Sequence, residues 1–222
     1  MGKSAARSGG KSAARSGGKS AARSGGMSAA RSGGKSAARS GSVWVFGYGS
    51  LVWNPGFAHA SAQVARLDGF RRAFCMRSIH HRGTPQAPGL VLALDAAPGA
   101  RCDGLAFEIP ARIAPETLEY LRARELISAA YLETVQPVTL QGGRQVEAVT
   151  YIIDRAHDQY CGALPLEEQA RIIARAHGGR GPNAEYLVQT AEHLAALGLR
   201  DAELDWLVTR VRALARCGAT DR

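Results

Sequence analysis

The sequence VWVFGYGSLVW spans residues 43–53 and determines how the folded part of this chain begins. Large apolar and β-branched residues fill its first half, which predicts a buried strand that ends near Gly47. Two glycines then flank Tyr48, so the backbone can turn sharply and approach a ligand without an intervening side chain. Because successive N–H groups of such a turn can converge on an anion, we expect a carboxylate or a phosphate to bind there.

Residues 1–42 have a different composition from the rest, because they consist of five copies of an octapeptide related to KSAARSGG. Alanine is the main apolar residue of this unit, so the segment cannot bury a core and is predicted to be a disordered tail. The tail carries nine Lys and Arg residues and no acid, which leaves 19 of the 28 basic residues to balance 19 Asp and Glu. Residues 43–222 are therefore predicted to form one electrically balanced domain.

The basic tail suggests contact with nucleic acid or an acidic membrane through counterion release. It has no aromatic residue for base stacking and no apolar face for insertion into a bilayer. We therefore favour a solvated tail, or a translation start at Met27. No segment has the pattern of a secretory signal or a membrane span. The four cysteines are widely spaced, which indicates a reduced, cytoplasmic setting and no metal site.

The apolar pattern after the tail first follows strand periodicity and later helix periodicity. The predicted strands are 43–47, 64–77, 89–95, 102–109, 131–140 and 144–153, the last two joined by the hairpin signal Gln141-Gly142-Gly143. The predicted helices run from Pro115 to about 126, from Pro165 to Gly178-Gly179, over 183–197, and from Asp201 to about 215. This order predicts an α+β fold with a largely antiparallel sheet or barrel.

Glu125 departs from the pattern of the first helix. Leu118, Leu121 and Glu125 stand at i, i+3 and i+7, so they share one face, which the leucines direct towards the core. A carboxylate on an apolar face must be paired or have its pKa raised by desolvation, and a raised pKa suits a general base near neutral pH. The alternatives are that Glu125 turns out to solvent or pairs with Arg122.

Other candidate groups are weaker. His80 and His81 occupy a loop rich in Gly and Pro, where they can contact a substrate, but no Ser, Asp or Cys motif accompanies them to complete a catalytic triad. The Gly47–Gly49 spacing lacks the third glycine and the following helix of a dinucleotide fingerprint, so NAD is not expected. We predict that neither a cofactor nor a metal is needed.

Four separated motifs carry a family resemblance. They are VFGYGSLVWNPGF at 45–57, HRGTP with a later Pro-Gly at 81–89, Arg124-Glu125 followed by Tyr131, and GPNAEYL at 181–187. With these motifs in this order, residues 43 to about 212 resemble the ChaC-like γ-glutamylcyclotransferases. The resemblance implies a small mixed β-barrel flanked by helices. It also implies a lyase that cleaves γ-glutamyl peptides, glutathione in particular, to 5-oxoproline and cysteinylglycine.

The resemblance also implies roles for individual residues. Glu125 would be the proton acceptor, and Tyr186 would line the active site, although a tyrosine packed on the core is an equal alternative. The loop that binds the γ-glutamyl end would comprise Gly47, Tyr48, Gly49, Ser50, Leu51 and Val52.

The chain departs from the family pattern at two places. Many relatives have Gly-Gly-Tyr after the glutamate, where this chain has Ala129-Ala130-Tyr131, and many have Asp-His where it has His80-His81. Two alternative functions stay open. One is a cyclotransferase acting on other γ-glutamyl amines or amino acids, and the other is a non-catalytic γ-glutamyl or anion-binding module tethered by its basic tail. The sequence does not determine the oligomeric state.

Overall fold

The computed structural model describes residues 41–220, with side chains described as far as residue 217. The predicted disordered tail, residues 1–42, lies outside this part of the chain except for its last two residues. The strands are β1 (Val43–Gly47), β2 (Ser61–Ser78), β3 (Gly89–Ile109), β4 (Tyr131–Leu140), β5 (Gln145–Ile153), β6 (His177–Gly178) and β7 (Gly181–Pro182). The helices are α1 (Ala114–Glu125), α2 (Leu166–Arg175), α3 (Asn183–Ala196) and α4 (Ala202–Thr220).

Strands β1 to β5 form a closed barrel in the order β1-β3-β2-β4-β5. The pairing of β1 with β5 is parallel and closes the barrel, whereas β1–β3, β3–β2, β2–β4 and β4–β5 are antiparallel. Val45, for example, lies opposite Phe107 on one side and Val149 on the other. The predicted α+β class, with a small mixed β-barrel flanked by helices, is therefore confirmed.

Alternation along β1 separates two cores. Trp44 and Phe46 belong to a buried cluster that includes residues of all five barrel strands and none of the helices, which places it inside the barrel. Val45, pointing the opposite way, joins a larger cluster that includes Leu121 of α1 and Leu187 of α3. Because successive side chains of a strand point to opposite faces of the sheet, the outward-facing side chains of β1 pack against the helices outside the barrel.

The two predicted strands 89–95 and 102–109 are one strand in the structure, β3, interrupted by a bulge. Asp68 of β2 lies opposite Arg101, but Phe70 lies opposite Ala96, so the residues between Ala96 and Arg101 have no counterpart on β2. Gly99 has a φ of 80° there, which a glycine adopts readily. The gap between the two predicted strands, which contains Pro98 and Gly99, is therefore an irregularity within one strand, and the ladder resumes beyond it, as at other β-bulges.

The helix ends differ from the predicted ones. Helix α2 ends at Arg175 because Ala176 is extended, with φ −71° and ψ 140°. The following residues form the short β6–β7 hairpin, which was not predicted because two-residue strands have no detectable period. Helix α4 extends to Thr220, beyond the predicted end near 215. None of the helices in residues 41–220 is long and apolar enough to cross a lipid bilayer.

The turn from α1 to β4 contains a residue under backbone strain. Ala129 has a φ of 54°, in the left-handed region, which glycine adopts far more readily than alanine. Its N–H donates to Leu126 O at 3.1 Å, and the next carbonyl, of Ala130, accepts from Asp154 N–H at 2.9 Å. The chain therefore keeps the turn despite the Cβ that Ala129 brings to it.

We expect Ala129→Gly to stabilise the protein. The left-handed conformation costs alanine about 1–2 kcal/mol, a cost that glycine avoids. The greater freedom of glycine in the unfolded chain opposes this gain by about 0.4–1 kcal/mol. The net effect is an increase of about 0.5–1 kcal/mol in the free energy of unfolding, measured by urea denaturation. Ala130→Gly is the control, because Ala130 is buried and lacks a positive φ, and it should destabilise. A loss of stability in Ala129→Gly would contradict the assignment of strain.

Candidate active site

A cavity of about 340 Å³ opens where the loop after β1 meets the end of α1, the 78–82 loop and α3. It brings together six of the eight residues predicted from the sequence. These are Tyr48, Gly49, Ser50, Leu51, Glu125 and Tyr186. His80 and His81 also line it. Residues from four regions widely separated along the chain therefore converge on one site of a size typical for small molecules.

Gly47 and Val52 are not among the residues that line this cavity. Gly47 closes β1 by pairing with Leu105, and a Cβ on it would come within 2.8 Å of the Cβ of Leu51. Val52 is buried in the cluster between barrel and helices. These two residues shape and anchor the loop, whereas the four residues between them face the cavity.

The loop after β1 turns into the cavity as a single 3-10 turn over Ser50–Val52. Val52 N–H donates to Gly49 O at 3.0 Å, and Asn54 N–H donates to Ser50 O at 2.8 Å. The N–H groups that begin such a turn have no partner within it. A Cβ on Gly49 would lie 3.1 Å from the Tyr186 hydroxyl, so glycine lets the loop backbone approach the tyrosine closely. The loop thus presents backbone to the cavity.

Glu125 is the last residue of α1 and directs its carboxylate into the cavity. Its side chain is 18 % exposed, and its Oε1 lies 3.0 Å from Arg124 Nε. The guanidinium approaches at an ion-pair distance but outside hydrogen-bond geometry, so the buried Oε1 has no hydrogen-bond partner in the described chain. Arg122, considered as a partner from the sequence, instead binds Glu133 at 2.7 Å. Glu125 is therefore desolvated and retains an acceptor atom for a ligand.

Burial raises the pKa of Glu125 above its ordinary value, and the positive charges of Arg124 and Arg180 offset only part of that increase. Burial also lowers the pKa of His81 to about 4, with Arg180 contributing, so this imidazole is neutral near pH 7. The phenol of Tyr186 has its pKa raised by burial and stays protonated. The site therefore combines a carboxylate of increased basicity with a neutral imidazole, a neutral phenol and the positive charges of Arg124 and Arg180.

Tyr186 lines the cavity and also packs on the core. The two roles that the sequence analysis treated as alternatives are therefore compatible. It is buried, and its hydroxyl accepts a hydrogen bond from Leu92 N–H at 3.4 Å. Its ring makes edge contacts with Phe74 and Trp53. Such packing holds the hydroxyl at a constant position beside Gly49.

Arg124 is a functional candidate to which the sequence analysis assigned no role. Its Nη1 donates to Asn54 O at 2.7 Å and to Pro55 O at 3.1 Å, and its Nη2 donates to Ser50 Oγ at 2.9 Å. Its side chain is 7 % exposed. One guanidinium thus joins the cavity loop to the helix that carries Glu125. Its position beside Glu125 in the motif was the available signal.

Arg72 of β2 holds the loop from the barrel side. Its Nη1 donates to Tyr48 O at 3.0 Å and to Asp103 O at 2.9 Å, and its Nη2 pairs with Asp201 at 3.2 Å. Asp201 also accepts the N–H groups that begin α4, which agrees with its predicted capping role. The arginine was missed because nothing local to β2 indicates partners so distant in sequence.

The short β6–β7 hairpin supports the opposite wall of the cavity. Its tip continues the 80–82 loop, because Gly179 N–H donates to His80 O and Arg180 N–H donates to His81 O, both at 2.9 Å. Asn183, directly after the hairpin, exchanges two hydrogen bonds of 2.7 Å with the backbone of Leu90. These contacts bring the His-Arg-Gly and Gly-Pro-Asn motifs together in space.

The described part of the chain holds no group of three or more His, Cys, Asp or Glu side chains placed to bind a metal ion. What the arrangement offers is one basic carboxylate, a backbone turn with N–H groups at its start, and several neutral hydroxyls. It is suited to bind a small anionic molecule and to transfer a proton.

Comparison with known proteins identifies the family. The family model described as ChaC-like protein matches residues 43–214, and the chain belongs to that family. A glutathione-specific γ-glutamylcyclotransferase of Escherichia coli is 38% identical, over 78% of this chain and 74% of its own. A glutathione-specific γ-glutamylcyclotransferase 1 of Danio rerio is 36% identical, over 69% and 79%. The crystal structure of a γ-glutamyl cyclotransferase specific to glutathione from yeast superposes with a TM-score of 0.72 at 26% identity, covering 78% and 96%.

We expect Arg124→Met to loosen the cavity loop. Removing the guanidinium takes away hydrogen bonds of a charged group, each worth about 1.5–3 kcal/mol, so amide exchange over residues 48–55 should become about 10- to 100-fold faster. Hydrogen–deuterium exchange measures this change. Arg122→Met is the matched control, because Arg122 on the same helix binds Glu133 instead of the loop. Unchanged exchange in Arg124→Met would show that the loop is held by other contacts.

Glu125→Gln should change how stability depends on pH. Since burial raises the pKa of Glu125 in the folded state, the folded protein keeps this proton longer than the unfolded chain and loses stability as pH rises through that pKa. The variant lacks this loss, so its stability relative to wild type should grow from low to neutral pH in urea denaturation.

Glu133→Gln provides a control of opposite sign for this measurement. Hydrogen bonds from Arg122 lower the pKa of Glu133, so its contribution to stability is present at neutral pH and is lost as the solution is acidified. This variant should be less stable than wild type at neutral pH. A wild-type pH dependence in Glu125→Gln would contradict the raised pKa of Glu125.

Proposed function

We propose that this protein cleaves glutathione into 5-oxoproline and cysteinylglycine. The observation that carries the proposal is the desolvated carboxylate of Glu125, whose Oε1 pairs with Arg124 but accepts no hydrogen bond in the described chain, and which faces the same cavity as the Tyr48–Leu51 loop. Relatives from Escherichia coli and Danio rerio that are named as glutathione-specific γ-glutamylcyclotransferases support this choice of substrate.

The reaction needs no nucleophile from the protein. The α-amino nitrogen of the γ-glutamyl group attacks its own γ-carbonyl carbon, forming the C–N bond of a five-membered lactam. The peptide C–N bond to cysteine then breaks, and the leaving nitrogen takes up a proton. Holding the two reacting atoms together can supply about 7–11 kcal/mol of the barrier reduction. The protein must therefore fold the γ-glutamyl arm and move a proton.

Glu125 is suited to move that proton. Its raised pKa makes the carboxylate a stronger base, so that it can accept a proton from the α-ammonium group and return the proton to the leaving amine. A positioned general base typically contributes about 10²–10⁴-fold to the rate. Arg124 positions the carboxylate and the loop together through one guanidinium. The order of events is thus binding, deprotonation, cyclisation and proton return.

The loop and Tyr186 would bind the γ-glutamyl end. The N–H groups at the start of the Ser50–Val52 turn would bind an anion such as the α-carboxylate. The Tyr186 hydroxyl lies beside this loop, near Gly49, and stays protonated, so it can donate to a substrate oxygen. Gly47 and Val52 would act on the substrate only through the shape of the loop.

We also propose a reducing compartment such as the cytoplasm. Cys75, Cys102 and Cys161 are thiols in the structure. Burial raises the pKa of Cys75 to about 12 and that of Cys102 to about 11, so both remain unreactive at neutral pH. A secreted protein of this size more often pairs its cysteines.

Incubating the purified full chain with glutathione tests the proposal. We expect 5-oxoproline and cysteinylglycine in equal amounts, without added metal or nucleotide. Glu125→Gln should lower the turnover at least about 10²-fold because it removes the base. Glu119→Gln is the matched control, an exposed glutamate on the same helix that does not line the cavity.

Three outcomes of this experiment would change the proposal. Wild-type turnover by Glu125→Gln would exclude Glu125 as the base. Release of 5-oxoproline from other γ-glutamyl amines or amino acids, but not from glutathione, would assign a different substrate. Binding of γ-glutamyl compounds with no product from any of them would indicate a non-catalytic module.

A further inference from the structure

Arg180 occupies a defined place at the rim of the cavity. It lies between β6 and β7 at the hairpin tip, and its N–H donates to His81 O at 2.9 Å. The residue is exposed, yet it lines the same cavity as Glu125. The backbone is therefore held in place, while the guanidinium stands where the cavity meets solvent.

Arg180 also differs from the other arginines of the cavity in its contacts. Arg82 donates to Pro182 O at 3.0 Å and pairs with Glu185 at 3.7 Å. Arg124 is occupied by Asn54 and Ser50 of the cavity loop and by Glu125. Within the part of the chain that the structure describes, the guanidinium of Arg180 has no hydrogen-bond or ion-pair partner. It is thus the cavity arginine that remains available to an anion.

A second cavity residue, Gln189, has one side-chain atom without a hydrogen-bond partner among the described residues. Gln189 of α3 donates through Nε2 to Glu185 at 3.1 Å, and this bond determines which end of the amide carries the oxygen. Its Oε1 is buried and accepts no hydrogen bond in the described chain. A buried acceptor without a donor is unfavourable unless a ligand supplies one, and the peptide N–H of a bound dipeptide is such a donor.

The chemistry of the substrate determines which end reaches Arg180. The α-amino group must reach Glu125, which is mostly buried, and the α-carboxylate is attached to the same carbon atom as this amine. The leaving dipeptide must then extend towards the exposed rim, and it ends in a second carboxylate. A guanidinium matches the two oxygens of a carboxylate in a bidentate arrangement.

We propose that Arg180 is a specificity-determining residue that binds the terminal carboxylate of the leaving dipeptide. This inference rests on the proposed function and extends it to the half of the substrate that is released. It assigns the two carboxylates of glutathione to two places, the α-carboxylate to the loop and the terminal carboxylate to the hairpin tip. Substrates that lack the terminal carboxylate are then selected against.

A comparison of two substrates tests the assignment. The kcat/KM is measured for glutathione and for its analogue with a carboxamide in place of the glycine carboxylate, at a pH above the acid limb of both variants. Wild type should prefer glutathione by about 10- to 100-fold, the worth of a charge-assisted bidentate contact. Arg180→Gln should lose this preference by becoming slower on glutathione while keeping its rate on the carboxamide. Arg180→Lys should recover part of this preference, because lysine keeps the positive charge but cannot form the bidentate contact.

Arg112→Gln is the matched control, since Arg112 is an exposed arginine that does not line the cavity, and it should behave as wild type on both substrates. Equal losses on both substrates in Arg180→Gln would overturn the proposal and indicate a contact with the γ-glutamyl half. A wild-type enzyme that turns over both substrates equally would overturn it while leaving the proposed function intact. Absence of 5-oxoproline from glutathione with wild type would instead reject the proposed function, and this inference with it.

Discussion

The desolvated carboxylate of Glu125 is the constraint on which the rest of the site depends. A carboxylate withdrawn from water is unfavourable in its charged form, and the neighbouring Arg124 offsets only part of that cost. The same imbalance raises the pKa of the carboxyl group and so increases its basicity. The apolar contacts of α1 through Leu121 must therefore hold Glu125 where it would not otherwise lie. Burying such a group lowers stability, and carboxylates with pKa values perturbed in this way are found most often at functional sites.

Two arginines on opposite sides convert the glycine-rich loop into a fixed surface. Arg72 reaches the loop from inside the barrel wall through Tyr48 O, and Arg124 reaches it from α1 through Ser50 Oγ. Both side chains are nearly excluded from solvent, where hydrogen bonds from a charged group are strong. A loop of this composition would be mobile if isolated. Held from both sides, it can present its backbone N–H groups to a substrate at a constant distance from Glu125.

Most of the barrel could be predicted from local pattern, whereas its irregularities could not. Apolar alternation placed β1, β4 and β5 within about one residue of their observed limits. The bulge in β3 was predicted as a chain break because Pro98-Gly99 is a turn signal in either case. The β6–β7 hairpin lies where a longer α2 was expected, since its conformation depends on the backbone of His80 and His81, almost 100 residues earlier.

The sequence by itself determined the family, the strand and helix order, and the position of a carboxylate on a leucine face. Each of these depends on residues close together along the chain, where period and motif are visible. Only the tertiary structure decided which groups meet Glu125, that Arg122 turns to Glu133, and that Arg180 is left without a partner among the described residues. These are contacts between distant segments, and they follow from closure of the barrel, which no local pattern encodes. The motifs therefore indicated the chemistry, but they did not indicate the geometry of the site.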